Sequence, residues 1–140
     1  MAKLQVLLTF LFCLITSIQA YDRLENLEIG ILKRAVPKGE DCEVFAKPGD
    51  KISVHYTGYL RETNEKFDSS LDRGTPLQFT LGTGQVIQGW DQGLVGMCVG
   101  ESRKIQIPSA LGYGSRAIAG VIPADSDLTF ECELVDVESI

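Results

Sequence analysis

Apolar residues recur at every second position in five stretches of the chain. Leu27, Ile29 and Ile31 form the first. In the second, Ile52, Val54 and Tyr56 share one face and Ser53, His55 and Thr57 the other. Leu77, Phe79 and Leu81 follow, then Ile105 and Ile107 before Pro108, and Leu128, Phe130, Cys132 and Leu134 close the series. A period of two marks strands with one buried face. A helical period occurs once: Ile87, Trp90, Leu94 and Met97 are spaced by three, four and three, which places them on one face. Gly89, Gly93 and Gly96 interrupt it, each costing up to about 1 kcal/mol relative to Ala, so the helix should be short and dependent on packing. Glu40 to Pro48 and Arg61 to Lys66 carry turn chemistry, and Ser109 to Asp127 is a long Gly- and Ser-containing connection of the kind that is often functional. The pattern predicts an α+β domain, an antiparallel sheet with one solvated face and the other closed over a single short helix.

The first twenty residues stand apart. Lys3 gives a positive start, Leu4 to Ile18 is almost wholly apolar, and Ser17-Ile18-Gln19-Ala20 ends in a small residue. That is the layout of a secretory signal peptide cleaved after Ala20. As a membrane span the stretch is short of the roughly 20 apolar residues required, and Gln5, Thr9 and Gln19 interrupt its ends. We therefore expect residues 1–20 to be a leader, 21–48 an N-terminal strand and turn, and 49–138 the main domain.

Losing Lys3 with the leader takes the 13 basic residues to 12 against 19 acidic ones, a formal charge of −7 on residues 21–140. An acidic chain argues against nucleic acid as a partner, because phosphate binding relies on Lys and Arg. The charges are interspersed, as on an ordinary solvated surface. With Cys13 in the leader, Cys42, Cys98 and Cys132 remain, enough for one pair and one thiol in an oxidising compartment. Cys132 shares the inward parity of Phe130 and Leu134 and reads as a small buried hydrophobe. Cys42 follows a Pro37-Lys38-Gly39 turn and Cys98 lies in a Gly-flanked segment, so these two are expected to pair. Zinc is not expected: there is no CxxC, and His55 is the sole histidine.

Trp90 is the sole tryptophan, and alone it would read as core. Its company changes that. The Tyr56 hydroxyl would need a partner on an inward strand face, and Asp68, next to Phe67, would be a costly buried carboxylate unless hydrogen-bonded. A Tyr56–Asp68 contact is one candidate. Catalytic alternatives lack parts. Ser69 and Ser70 adjoin Asp68, but a hydrolase needs a base, and strand parity points His55 off the core face. Gly82-Thr83-Gly84 lacks the Gly-Lys-Ser/Thr continuation of a phosphate loop. What remains is a scattered apolar set with one carboxylate and one phenol. If converged, it would make an aromatic cup suited to a small apolar ring joined to an amide, which describes a prolyl peptide.

Val54 to Gly58, Phe67 to Ser70, Leu81-Gly82, Val86 to Gly93, Tyr113-Gly114, Ile122-Pro123 and Leu128 to Leu134 occur in the order found in the FKBP-type peptidyl-prolyl isomerases, which the chain resembles from about Gly49 to Val137. The resemblance implies a curved antiparallel sheet wrapped around one short helix, and prolyl isomerase activity. It implies catalytic-pocket positions at Tyr56, Phe67, Asp68, Trp90, Tyr113 and Phe130, with Trp90 as floor, and ligand-binding positions at Leu77, Val86, Ile87, Ile118 and Ile122. The Ile87 backbone N–H and the Tyr113 hydroxyl would bond ligand carbonyls, and Asp68 a polar ligand group or the rim. Implied partners are proline-containing polypeptides, with tacrolimus and rapamycin as inhibitors. No cofactor, metal or nucleic acid is implied, and a monomer is expected.

The leader, Asp41-Cys42 and Gly96-Met97-Cys98 resemble the secretory branch of that family, which implies the endoplasmic reticulum lumen and a Cys42–Cys98 disulfide. Val137-Glu138-Ser139-Ile140 is not a KDEL- or HDEL-like tag, so retention and secretion both stay open. The rim departs from the family's commonest pattern at Leu77, Gln85, Ile118-Ala119 and Ala124, which bears on drug affinity and substrate preference. The alternative function is a non-catalytic, chaperone-like module that holds proline segments in the same cup.

Overall fold

The computed structural model describes residues 21–138; the expected leader, residues 1–20, lies outside them. The alternating stretches form β1 (Glu28–Lys33), β2 (Lys51–Leu60), β4 (Leu77–Thr80), β5 (Ser102–Ile107) and β6 (Leu128–Glu138), joined by a short β3 (Lys66–Ser69). All pair antiparallel in one six-stranded sheet of order β1-β5-β6-β2-β3, with β4 also on β2. The fold is α+β. β2 is the hinge of the topology. One edge pairs along its whole length with β6, and the other is shared by β4 at Lys51–Val54 and β3 at Thr57–Tyr59. Between those two strands the chain turns through α1 (Ser70–Arg73). Ser69 Oγ caps its start by accepting from Leu71 N–H at 3.2 Å, and Gly74 closes it at φ 72°, a left-handed angle that suits glycine. The sequence pattern does not anticipate this turn, because four residues are too few to show a helical period.

The anticipated helix, α2, spans Gln88–Gly93, shorter than the Ile87–Met97 stripe that announces it. Leu94 and Met97 still reach the core, but from the turn that follows, which bends at Gly96 (φ 81°). The glycines have a second role beyond weakening the helix. A Cβ on Gly89 would stand 2.5 Å from Ile107 Cγ2, and one on Gly93 would stand 3.1 Å from Ile105 Cδ1. The missing side chains let α2 lie directly on β5. Arg103, also on β5, donates to Gly93 O at 2.9 Å and Val95 O at 3.0 Å, satisfying carbonyls at the helix end. At the other end, the Asp91 carboxylate accepts from Gly82 N–H at 2.8 Å and Gly84 N–H at 2.9 Å. The amides of the Gly82-Thr83-Gly84 loop are therefore engaged within the chain.

Ile52, Val54, Leu81, Leu94, Met97, Ile105, Ile107, Leu128 and Leu134 fill the space between sheet and helix. Cys132 is buried among them, and burial pushes its thiol well above the ordinary value. Cys42 and Cys98 are bonded, and the adjoining Phe45 bridges to Cys98. β1 departs from the expected burial. It forms a strand, yet all six residues are exposed, because it hangs at the sheet edge and a bulge between Ile31 and Lys33 breaks its alternation.

Candidate functional site

Five elements and two connections meet over the indole of Trp90. β2 supplies Tyr56, β3 Phe67 and Asp68, β4 Leu77, β6 Phe130 and α2 Trp90 itself. The connection before α2 adds Gln85, Val86 and Ile87, and the Ser109–Asp127 connection adds Tyr113. Together they line a cavity of about 170 Å³. The rings pack edge to face. Tyr56 and Trp90 centroids are 4.9 Å apart at 76°, Trp90 and Phe130 5.2 Å at 86°, and Phe67 and Phe130 5.6 Å at 88°. These are the arrangements aromatic quadrupoles prefer. Trp90 is 3% exposed, so it offers one face as a floor while the rest is core. Its buried Nε1 has no hydrogen-bond partner among the described residues.

Gly58 makes room for the walls. A Cβ there would stand 2.6 Å from Phe67 Cζ and 2.7 Å from Phe130 Cε1, so any side chain would displace both rings. The Tyr113 loop is tied at its ends: buried Asp127 accepts from Ser109 N–H at 3.0 Å through one oxygen and from Leu24 N–H at 2.8 Å through the other.

The polar groups of the cavity are held in one network. Tyr56 Oη donates to Asp68 Oδ2 at 2.6 Å. Arg73 donates to Tyr56 Oη at 2.8 Å and to Asp68 Oδ1 at 2.7 Å, and Ser69 N–H donates to the same oxygen at 2.9 Å. Burial works against the charge on Asp68, but the bonds from Tyr56 and Arg73, the Arg73 charge and the Ser69 amide outweigh it. They hold the carboxyl below its usual 3.8. Burial first, then the bond to Asp68, raises the Tyr56 phenol above its usual 10. Burial and the nearby Asp68 charge raise Tyr113 likewise. Near neutrality the cavity therefore presents a fixed carboxylate and two protonated phenols. The Ile87 N–H and Tyr113 Oη have no hydrogen-bond partner among the described residues, which leaves both available to a ligand.

Of the residues expected in the site, Tyr56, Phe67, Asp68, Leu77, Val86, Ile87, Trp90, Tyr113 and Phe130 converge on the cavity. Ile118 and Ile122 are not part of its lining. They pair with each other across a tight turn, Ile118 N–H to Ile122 O at 2.8 Å and Ile122 N–H to Ile118 O at 2.9 Å, with Ile122 buried and Ile118 exposed. Arg73 is absent from the sequence reading, since only the α1 turn brings it back to Tyr56. His55 lies between the buried Val54 and Tyr56 and is itself only partly buried, as strand parity implies, but it makes a contact that parity does not foresee. It does reach a serine, Nδ1 to Ser70 Oγ at 2.9 Å, because Ser70 begins α1 and strand parity stops at Ser69. Ser70 is nonetheless 0% exposed and accepts from Tyr56 N–H at 2.8 Å, so the pair is structural and offers no nucleophile.

Among the described residues no group of His, Cys, Asp and Glu could hold a metal ion, and no helix is long and apolar enough to cross a membrane. Residues 42–135 match the family model for the FKBP-type peptidyl-prolyl cis-trans isomerase. Over 116 residues, 83% of this chain and 84% of the relative, the chain is 61% identical to the peptidyl-prolyl cis-trans isomerase FPR2 of Saccharomyces cerevisiae. It is 51% identical to FK506-binding protein 2 of Yarrowia lipolytica over 99% of this chain and 95% of that one. With the peptidyl-prolyl cis-trans isomerase FKBP2 of Mus musculus the identity is 45%, over 97% and 96% of the two chains.

Proposed function

From the premise that the chain belongs to the FKBP-type peptidyl-prolyl cis-trans isomerase family, we propose that it isomerises X-Pro bonds in the cavity over Trp90 and so speeds the folding of proline-containing secretory proteins. The observation that carries this reading is the convergence of Tyr56, Phe67, Trp90 and Phe130 on one hollow beside a fixed carboxylate. Rotation about an ordinary peptide bond faces about 18–20 kcal/mol because it breaks amide resonance. For X-Pro bonds the uncatalysed change takes roughly tens to hundreds of seconds. The planar imide is more dipolar than the twisted one, and water favours it. Moving the bond onto an indole floor removes that advantage, and a donor such as the Ile87 N–H or Tyr113 hydroxyl favours the displaced carbonyl of the twisted form. No proton leaves a side chain. A 10⁴-fold acceleration needs only about 5.5 kcal/mol of differential binding.

An NMR exchange or protease-coupled assay on an X-Pro peptide tests this. Asp68→Val and Tyr113→Phe, each checked for folding by circular dichroism, should lower kcat/KM by about tenfold or more, a change of about 1.4 kcal/mol in transition-state binding. An isomerisation rate indifferent to the protein would end the reading.

The same cavity takes tacrolimus- and rapamycin-like macrolides, whose amide-bearing apolar rings make the demands of a prolyl substrate. Trp90 being the sole tryptophan, rapamycin should alter the protein's emission and inhibit isomerisation at matching concentrations. The leader-like residues 1–20 and the Cys42–Cys98 bond support residence in the endoplasmic reticulum lumen. Protease protection of the chain translated with microsomes checks that placement.

A further inference from the structure

The hollow over Trp90 continues outward. Gln85, Val86, Ile87 and Tyr113 also line a second, wider cavity of about 430 Å³, completed by Gly112 and Arg116. Four shared residues make the two cavities one groove. A polypeptide with its proline on Trp90 can therefore run a neighbouring residue along the second hollow. Arg116 is the one charged residue lining that hollow. Its backbone N–H donates to Tyr113 O at 3.1 Å, which sets it beside the cavity mouth. Among the described residues its guanidinium forms no ion pair, whereas Arg73, on the catalytic side, is engaged by Asp68 and Tyr56. The chain as a whole carries a formal charge of −6, so an acidic segment is not drawn in by the general field. Only a fixed cation within a Debye length, about 8 Å at physiological salt, reverses that locally.

We propose that Arg116 is a specificity-determining residue, favouring polypeptides with Glu or Asp beside the isomerising proline. The proposal rests on the proline occupying the cavity over Trp90. Because Arg116 is exposed, the effect is modest, about two- to five-fold, the range an exposed charge pair supports.

The test is a matched set of peptides with Glu, Gln or Lys on either side of one X-Pro bond. Their kcat/KM is measured by NMR exchange at low and high salt. Glu should exceed Gln by about two- to five-fold at one of the two positions, with Lys below Gln and the order flattened by salt. Arg116→Gln should bring the Glu-to-Gln ratio to about one, and Arg116→Glu should invert it in favour of Lys. Turnover of the Gln peptide without a Glu preference, or a preference that survives Arg116→Gln, overturns this assignment alone. A set in which no peptide is isomerised overturns the catalytic reading with it.

Discussion

Asp68 shows how a single side chain is prepared for the site. Its carboxyl is held below 3.8 by partners on two elements, Tyr56 on β2 and Arg73 on α1. A depressed folded-state value means that the group stabilises the fold above the unfolded value of 3.8. That contribution is lost as pH falls through the folded value. Arg73→Ala should therefore move the Asp68 midpoint up towards 3.8, read from its side-chain carboxyl carbon by NMR; a midpoint that stays put would break the link. The phenols of Tyr56 and Tyr113 are raised above 10, and no other group lining the cavity titrates in between. From about pH 5 to pH 9 the cavity should leave kcat/KM flat, in contrast to the bell of an acid–base enzyme. Tyr56, Trp90 and Phe130 were legible in the sequence because their parity and spacing face the core. Arg73 was not, since its reach depends on where a four-residue turn points.

At the scale of elements, α2 depends on being close to the sheet. Gly89 costs helix propensity but permits contact with Ile107, and closeness matters more here. Gly89→Ala should therefore destabilise the protein by about 1–3 kcal/mol through overpacking, opposite in sign to the gain Ala gives an isolated helix. Urea denaturation should show a lower midpoint at unchanged slope. The shift should carry a loss of isomerase activity, because Trp90 follows Gly89 and moves with it. The strands were readable from alternation wherever a face is buried. β1 misled on burial because its place at the edge, beyond β5, is a matter of topology and leaves no trace in its own six residues.

At the scale of the molecule, the 56-residue separation closed by Cys42–Cys98 ties the segment leading into β2 to the turn after α2. Loop-closure entropy places its contribution at about 4 kcal/mol in the chain-entropy model. Cys42→Ser with Cys98→Ser should lower stability by up to that amount. Cys132, buried beside Phe130 and Leu134, should stay unmodified in non-reducing peptide mapping of the folded protein. Finding Cys132 in a disulfide would contradict its inward packing.

What the chain determines locally is five of its six strands, one helical stripe and the inward rings, because periods of two and 3.6 are properties of neighbouring residues. Long-range assembly decided the rest. The sharing of β2 between β3 and β4, the return of Arg73 to Tyr56 and the joining of the Tyr113 loop to the cavity all bring together residues far apart in sequence. That Ile118 and Ile122 lie outside the cavity lining is decided there too, although their pairing with each other spans only four residues. Such contacts depend on which surfaces meet once hydrophobic faces close. No local period encodes that.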